Sequence, residues 1–503
     1  MESLHGRHRE GASGATALTR LITSALLLLS ALASAQQKSG LPSATREFIR
    51  VDEPVVALTH LEVIDGTGGP VKRDQTILID NGRIVAMGNS QSLPIPPEAR
   101  LMDFRGYSAL PGLVGMHDHL FYSVNYFRGD GVLAYDMPFS FPRLFLAAGV
   151  TTIRTTGAFE PYTDLEIKKA VESGALIGPK MNVTGPYLVD SSFPLIQLHK
   201  LTGPDDARRL VNYWADEGVT SFKAYTDITR DELHAAVEAA HARGLTITGH
   251  FCSIGFREAA EIGVDGIEHG LFVDTEFIAT KKPDVCPEQF NASAADMDVD
   301  GEQIQAMIKI LVEHHVAITS TLPVWEEFIP PRKRAPERVL AVLSPAARQA
   351  YFAKVNRMIR ESQKDSSATA HRIRRYRMMT RKEMEFELAF VHAGGLLLAG
   401  SDAVLGANVA GFGDQRELEL LVEAGLSPVE AIRIATLNGA KFLKVDNRVG
   451  SLEPNKQADI VLVKGDLAND IDNIEKGEIV FKGGVGYDSR KLIGSVAGQV
   501  GIR

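Results

Sequence analysis

Cysteine is scarce in this 503-residue chain, which contains only Cys252 and Cys286. Two cysteines exclude a disulfide-rich scaffold and any zinc module built from several cysteine ligands. Basic charge is not in excess, because the formal net charge is -9, and this argues against a nucleic-acid partner. A glycine-rich phosphate-binding loop is also lacking. What remains is an ordinary globular composition, long enough for one large and one smaller domain.

The N-terminal segment indicates export. Three arginines, Arg7, Arg9 and Arg20, precede an apolar run over residues 21–32 that ends in Ala33-Ser34-Ala35. This order predicts a signal peptide over residues 1–35, cleaved near Ala35, and hence a periplasmic or extracellular protein. The apolar run is short for a membrane span, so we expect no stable membrane insertion after cleavage; an uncleaved anchor is the alternative. Export would also permit a disulfide between the two cysteines.

Both ends of the chain predict short β-strands. Residues 55–58, 76–80 and 83–87 have strand patterns, and Asn81-Gly82 is a strong hairpin signal between the last two. Similar patterns return at residues 458–463 and 477–482. Because neither end has enough strands for an independent sheet, we predict one small β-sandwich domain formed by residues 50–109 and 447–490 together.

The middle of the chain alternates strand and helix. Helical spacing runs from Asp205 to Glu217 and stops at Gly218, and Thr229 with Glu232 forms a capping box before the next helix. Repeated units of this kind predict an α/β fold, a (β/α)8 TIM barrel over residues 110–446, with a doubly wound sheet as the alternative. A charged, mostly helical insertion at about 324–392 reads either as a solvated rim or as a lid.

Histidine, lysine and aspartate stand where the predicted strands end. His117 and His119 follow an apolar run over residues 113–116, and alternate side chains of an extended backbone share one face. In a barrel, the ends of the strands form the catalytic face. The same position at later strands is held by Lys223, His250, His269 and Asp402.

These residue types fit two divalent metal ions, most simply zinc. Imidazoles and a carboxylate are good zinc ligands. Lys223 ends an apolar strand, a poor place for an unpaired ammonium, and a carbamate formed on its amine could bridge two metals. Two metals would generate hydroxide near neutral pH, and Asp402 could act as the general base that carries the proton to the leaving nitrogen.

The chain resembles the amidohydrolase superfamily, within the group similar to imidazolonepropionase and to prolidase-like dipeptidases. The resemblance rests on Pro-Gly-Leu-Val-Gly-Met-His-Asp-His, Ala-Gly-Val-Thr-Thr, Gly-His, Ile-Glu-His-Gly and Gly-Ser-Asp, and on the segments at 431–441 and 450–460. It implies that His117 and His119 hold the first metal with Asp402, that His250 and His269 hold the second, and that carboxylated Lys223 bridges.

The resemblance also implies substrate contacts. Tyr225 occupies the position where prolidase-like relatives bind a substrate carboxylate, with simple packing as the alternative. His199 is a further substrate-pocket candidate, with a position in a solvated loop as the alternative. Two features depart from the pattern: Gln415 replaces a histidine found in many relatives, and the loop at 185–200 lacks the expected glycine-rich sequence.

The expected function is an exported metal-dependent amidohydrolase that cleaves a C–N bond of the amide or dipeptide type, including Xaa-Pro-like dipeptides. A cyclic-amide or imidazolone hydrolase is the enzymatic alternative, and a non-catalytic metal-bound binding protein is the alternative from another class. The expected partner is a small molecule or dipeptide, with a homo-oligomer left open. Fold alone does not decide among these functions, because the barrel hosts many chemistries.

Overall fold

The computed structural model describes residues 42–124, 133–192, 197–287, 294–331, 334–364 and 367–501. The predicted signal peptide and its cleavage site therefore lie outside the described residues. The chain divides into two compact units, Met1–Glu47 and Phe48–Arg503. The described part of the first unit contains one short helix, and the second unit contains all the other secondary structure.

The secondary structure alternates strand and helix through the middle of the chain. The strands are β1 (Ile49–Val51), β2 (Val55–Val63), β3 (Lys72–Asp80), β4 (Arg83–Asn89), β5 (Arg100–Asp103), β6 (Tyr107–Pro111), β7 (Leu113–Asp118), β8 (Phe121–Val124), β9 (Leu133–Asp136), β10 (Val150–Thr155), β11 (Lys180–Asn182), β12 (Thr184–Asp190), β13 (Lys200–Leu201), β14 (Ser221–Ala224), β15 (Thr246–Gly249), β16 (Gly266–Glu268), β17 (Ala317–Ser320), β18 (Leu397–Ala399), β19 (Ile460–Lys464), β20 (Gly477–Lys482) and β21 (Val485–Asp488). The α-helices are α1 (Ser43–Arg46), α2 (Ser140–Ala147), α3 (Pro161–Glu172), α4 (Pro204–Glu217), α5 (Arg230–Ala242), α6 (Phe256–Ile262), α7 (Glu302–Glu313), α8 (Leu322–Glu326), α9 (Glu337–Val342), α10 (Pro345–Ser362), α11 (Ala368–His392), α12 (Phe412–Glu423), α13 (Pro428–Arg433), α14 (Gly439–Phe442) and α15 (Ser489–Gly494).

Strands from both ends of the chain form one nine-stranded sheet. Its order is β1-β21-β20-β19-β6-β2-β3-β4, and β5 pairs with β2. The two ends meet where β6 pairs antiparallel with β19, with Leu110 opposite Val461. The predicted hairpin is confirmed, since Asn81 and Gly82 lie between β3 and β4 with positive φ angles of 45° and 80°. Strands from the two chain ends thus pair within one sheet, through β6 and β19.

Two parallel sheets carry the middle of the chain, so the predicted α/β class is confirmed. One has three strands in the order β11-β10-β7, and the other has seven in the order β13-β12-β14-β15-β16-β17-β18. Every residue of β7, β10, β14 and β17 is buried, which is typical of parallel strands covered on both faces. The two sheets meet after β18, where the backbone N–H groups of Ser401 and Asp402 donate to the carbonyl oxygen of His117 at 3.1 and 2.8 Å.

Local sequence signals set the helix ends as predicted. The Thr229 hydroxyl accepts from the Glu232 N–H, and the Glu232 carboxylate accepts in return from the Thr229 N–H, which completes the capping box of α5. Helix α4 ends at Gly218, whose φ of 104° suits glycine. These two caps determine where α4 ends and where α5 begins.

The predicted insertion at 324–392 is mostly helical, as expected. It contains α9, α10 and the 25-residue α11, and α8 overlaps its start. Along α11, a buried stripe includes Glu383, Phe386, Glu387 and Phe390. Among the described residues, no helix combines the length and apolar character that crossing a membrane requires.

Candidate metal centre and active site

The six residues predicted from strand ends come together in one cluster. Lys223 Nζ lies 3.1 Å from His117 Nε2, and His119 Nε2 lies 3.3 Å from Asp402 Oδ1. The His269 ring centroid is 4.5 Å from that of His117 and 4.5 Å from that of His250. Parallel strands bring their C-terminal ends to one side of the sheet, which is why positions so distant in the sequence meet here.

Three of the imidazoles are held through Nδ1. His117 Nδ1 lies 2.8 Å from Glu268 Oε2, and His119 Nδ1 lies 3.1 Å from the Gly157 carbonyl oxygen. His269 Nδ1 lies 2.8 Å from the Thr321 hydroxyl. A hydrogen bond at one ring nitrogen fixes the tautomer and leaves the other nitrogen as a ligand, so these rings present Nε2 to the cluster.

Burial keeps the imidazoles of the cluster uncharged. Burial, followed by the Lys223 charge, lowers the pKa of His250 to about 3, and burial also holds the pKa values of His117 and His269 well below the usual range. Burial lowers the pKa of Lys223 to about 8. Neutral imidazole is the form that binds a metal, and the lowered pKa makes the neutral Lys223 amine, the form that reacts with carbon dioxide, more accessible than in an ordinary lysine.

Asp402 supplies the anion of the cluster. Burial works to raise the pKa of Asp402, but the neighbouring His117, His119 and Lys223 outweigh it and hold this pKa well below its usual range. The carboxylate is therefore ionised at neutral pH. One ligand atom from each of His117, His269 and Asp402 lies within 4.8 Å of the other two, which fits a divalent metal in its donor chemistry.

A buried ion pair behind His117 was missed by sequence reasoning. Arg154 Nη2 donates to Glu268 Oε1 at 2.5 Å, Arg154 Nε donates to the Met116 carbonyl oxygen at 2.9 Å, and both side chains are at most 1% exposed. Since the other oxygen of Glu268 meets His117, the pair orients that ring. No local signal marked the pair, because β10 has the sequence Val-Thr-Thr-Ile-Arg-Thr and a charged residue in so polar a strand does not predict burial.

Gln415, which departs from the family pattern, has a structural role. Its Nε2 donates to the carbonyl oxygens of Ala148 and Ile474 at 2.9 and 3.1 Å, and its Oε1 accepts from Arg338. It therefore ties α12 to two neighbouring segments, and none of these partners belongs to the histidine cluster.

Aromatic rings continue the cluster on one side. The Tyr225 ring centroid is 4.9 Å from His250 and 4.9 Å from Tyr187, and Phe159 lies 5.7 Å from Tyr187. Tyr225 is thus placed beside the predicted metal ligands. His199 is not brought to them by any contact of the described residues; its exposed ring pairs with Asp206 at 2.9 Å.

Cys252 and Cys286 form a disulfide. Cys252 lies two residues after His250, so the bond ties the loop after β15 to the segment before α7. The sequence predicted only that pairing was permitted, and the structure supplies the proximity.

The chain is similar to known proteins in sequence and in fold. The sequence model of the Amidohydrolase family matches residues 108–485. A crystal structure of a Xaa-Pro dipeptidase with bound methionine is 20% identical, with a TM-score of 0.64, and covers 86% of this chain and 100% of its own. Ochratoxinase of A. niger is 16% identical, with a TM-score of 0.62, over 87% of this chain and 96% of its own.

Curated relatives match over a short segment. Adenine deaminase 4 of Rhizobium meliloti is 33% identical over 76 residues, which are 15% of this chain and 12% of that protein. The adenine deaminase of Rubrobacter xylanophilus is 42% identical over 65 residues, 12% of this chain and 11% of that protein. The chain thus spans about an eighth of the length of these curated relatives. The family match, in contrast, extends over most of the chain and includes the whole histidine cluster, so the predicted resemblance is confirmed and the chain belongs to the amidohydrolase family, a family of hydrolases that act on carbon–nitrogen bonds.

Proposed function

We propose that this protein is an exported, metal-dependent hydrolase that cleaves an amide or dipeptide C–N bond. The observation that carries the proposal is the convergence of four neutral imidazoles, one ionised carboxylate and one buried amine at the ends of parallel strands. An amidohydrolase needs such a donor set, and burial favours the unprotonated form of its four imidazoles.

We assign the ligands as the family resemblance implies, and the contacts are compatible with this assignment. His117 and His119, whose Nε2 atoms lie 3.8 and 3.3 Å from Asp402 Oδ1, would hold the first metal with that carboxylate. His250 and His269 would hold the second. Lys223, beside His117 and with a pKa lowered by burial, would carry the bridging carbamate. Zinc is the ion that this nitrogen and oxygen set suits best.

When bound, divalent metals supply Lewis-acid activation of water and of the substrate carbonyl. The residues of the chain perform the remaining tasks. Asp402 is ionised and can accept the proton of the attacking water and return it to the leaving nitrogen. Glu268, held by Arg154, keeps His117 in one tautomer. Tyr225, whose ring centroid lies 4.9 Å from that of His250, would bind the substrate carboxylate.

A closed barrel would complete this scheme. β11 and β12 are separated by a single residue, and the backbone of Ser401 and Asp402 after β18 bonds to His117 of β7. We propose that the two parallel sheets form one closed (β/α)8 barrel over residues 110–446, with the nine-stranded sheet as a small β-sandwich domain from residues 50–109 and 447–490. The barrel would place all six site residues on its C-terminal face.

The Cys252–Cys286 disulfide supports export, because disulfides persist in oxidising compartments and are rare in the cytosol. Cleavage of the predicted signal peptide near Ala35 would release the mature chain.

For the substrate, two similar structures favour an Xaa-Pro-like dipeptide. One is the Xaa-Pro dipeptidase with bound methionine. The other is a prolidase complexed with N-methylphosphonate-L-proline, which is 19% identical with a TM-score of 0.62 and covers 86% of this chain and 99% of its own. A cyclic amide or imidazolone is the alternative that the same site could hydrolyse. A screen of zinc-loaded protein against dipeptides, their amides and cyclic amides separates these classes.

Asp402→Asn tests the mechanism. Asparagine keeps one ligand oxygen but has almost no basicity, so most of the metal should remain while kcat falls by roughly 10²–10⁴-fold. Metal content and turnover are measured on the same sample, with Asp164→Asn, another buried aspartate, as the matched control. Turnover near that of the wild type in Asp402→Asn, or activity that falls only in step with metal and returns with excess zinc, would refute the role of Asp402 as general base.

A further inference from the structure

His269 lies in a backbone conformation that needs support. Its φ is 69°, and Gly270 follows with a φ of 61° before a 3₁₀-helix over Gly270–Val273. A non-glycine residue in the left-handed region persists where the surroundings over-determine it, because the conformation costs free energy. The position of the proposed ligand His269 therefore depends on what holds the segment that follows it.

Glu383 of α11 holds this segment. Its Oε2 accepts the Phe272 N–H at 2.8 Å, and the side chain is about 1% exposed. Its other oxygen lies against Gly270, where the Cβ of any larger residue would collide with it. Glu383 thus satisfies a donor in the first turn of the 3₁₀-helix and also explains why residue 270 is glycine.

A second buried glutamate, Glu417 of α12, supports the segment on the other side of His269. The hydroxyl of Thr321 contacts His269 Nδ1, and Thr321 directly precedes α8. The first residue of α8, Leu322, donates its N–H to Glu417 at 3.0 Å. The two segments that fix His269 are therefore each tied by a buried glutamate. One of these glutamates comes from the long helix of the insertion.

We propose that Glu383 is a positioning residue for the metal site. Through Glu383, the insertion helix α11 holds the segment that follows His269 and so determines the metal affinity of the site formed by His250 and His269. This proposal rests on the proposed function, since it needs His269 as a ligand. It gives the insertion a role distinct from both a solvated rim and a lid.

Co²⁺ titration of metal-free full-length protein, followed by its visible absorption spectrum, tests the proposal. In Glu383→Met we expect the affinity for one of two Co²⁺ equivalents to fall by about 10–100-fold, the effect usual for lost partners of metal ligands, with the other equivalent unchanged. Glu383→Gln retains an acceptor oxygen for Phe272 and should stay within about tenfold of the wild type.

Glu387→Met is the matched control. Glu387 lies one turn further along α11 and is equally buried, but the groups it interacts with are Ser320 and Glu383 itself rather than the backbone of the Gly270–Val273 helix. We expect its Co²⁺ titration to match the wild type. Unchanged Co²⁺ affinity in Glu383→Met, or an equal loss in Glu387→Met, would overturn the proposal.

Two further variants keep the outcome decisive. His269→Ala should lose one Co²⁺ equivalent; if it binds as the wild type does, the proposed metal centre itself fails, which is a different result from failure of Glu383 alone. If Glu383→Met does not fold, judged by circular dichroism, Glu383→Asp tests the same contact, because it keeps the carboxylate but is one methylene too short to reach the Phe272 N–H. It should lower the affinity for the same Co²⁺ equivalent, and wild-type binding there would overturn the proposal.

Discussion

The variant Arg154→Met measures what the buried Arg154–Glu268 ion pair contributes to stability. The change removes the hydrogen bonds from Arg154 to Glu268 and to the Met116 carbonyl and leaves the fully buried Glu268 without its guanidinium. Breaking a buried pair by removing one partner costs about 3–5 kcal/mol, because an uncompensated charge remains. We expect a loss of that size in the free energy of unfolding at pH 8.

The loss should depend on pH with a defined sign. In the wild type, burial works to raise the pKa of Glu268, but Arg154 and Lys223 lower it overall, so its contribution to stability is present above its ordinary pKa and is lost as pH falls through its folded pKa. Without Arg154, burial is opposed less and the pKa of Glu268 rises above its ordinary value. Stability then falls as pH increases, so the deficit of Arg154→Met should be larger at pH 8 than at pH 5.

Urea denaturation of the metal-free variants at both pH values, followed by circular dichroism, measures these differences. The double variant Arg154→Met with Glu268→Gln removes the stranded charge and should regain about 2–4 kcal/mol of the loss. The reasoning would be refuted if the free energy of unfolding of Arg154→Met at pH 8 were within about 1 kcal/mol of the wild-type value. It would also be refuted if the double variant were less stable than the single one.

The remaining predictions concern the insertion, the substrate and the N-terminus. Burial raises the pKa of Glu387, so the folded state keeps a proton that the unfolded chain loses, and stability falls as pH rises. Glu387→Gln should therefore reduce the change of the thermal unfolding midpoint between pH 5 and pH 9. The control variant Glu385→Gln, at an exposed position, should leave that change as in the wild type. Tyr225→Phe should raise KM for substrates with a free carboxylate but not for their amides, and equal effects would assign Tyr225 to packing. N-terminal sequencing of the exported protein should begin near Gln36, and a start at Met1 would contradict the signal peptide.

The six clustered residues could be predicted because each signal is local. A short apolar run followed by His, Lys or Asp marks a strand end, and the fold class then places these ends together. Glu268 and Arg154 could not be found in this way, because their contact joins residues 114 positions apart and neither carries a motif of its own.

The support of His269 by Glu383 was hidden for a related reason. Helical spacing with Phe386 and Phe390 places Glu383 on the apolar face of α11, unlike the exposed Glu385, but this pattern does not indicate which group Glu383 contacts. The contact spans 111 residues, and its partner is a backbone N–H, which leaves no trace in the residue type of Phe272. Side-chain chemistry at strand ends is thus readable from sequence, whereas support through the backbone is not.

The union of both chain ends in one sheet has a consequence for biosynthesis. β6 pairs with β19, and Leu110 opposes Val461 about 350 residues later. At synthesis rates of about 5–20 residues per second, the edge of β6 stays without its neighbour for roughly 20–70 s. During that time the early strands expose an unpaired edge that could pair with another nascent chain, so holding this edge apart is a natural task for a chaperone. The nine-stranded sheet can therefore be completed only near the end of synthesis of the chain.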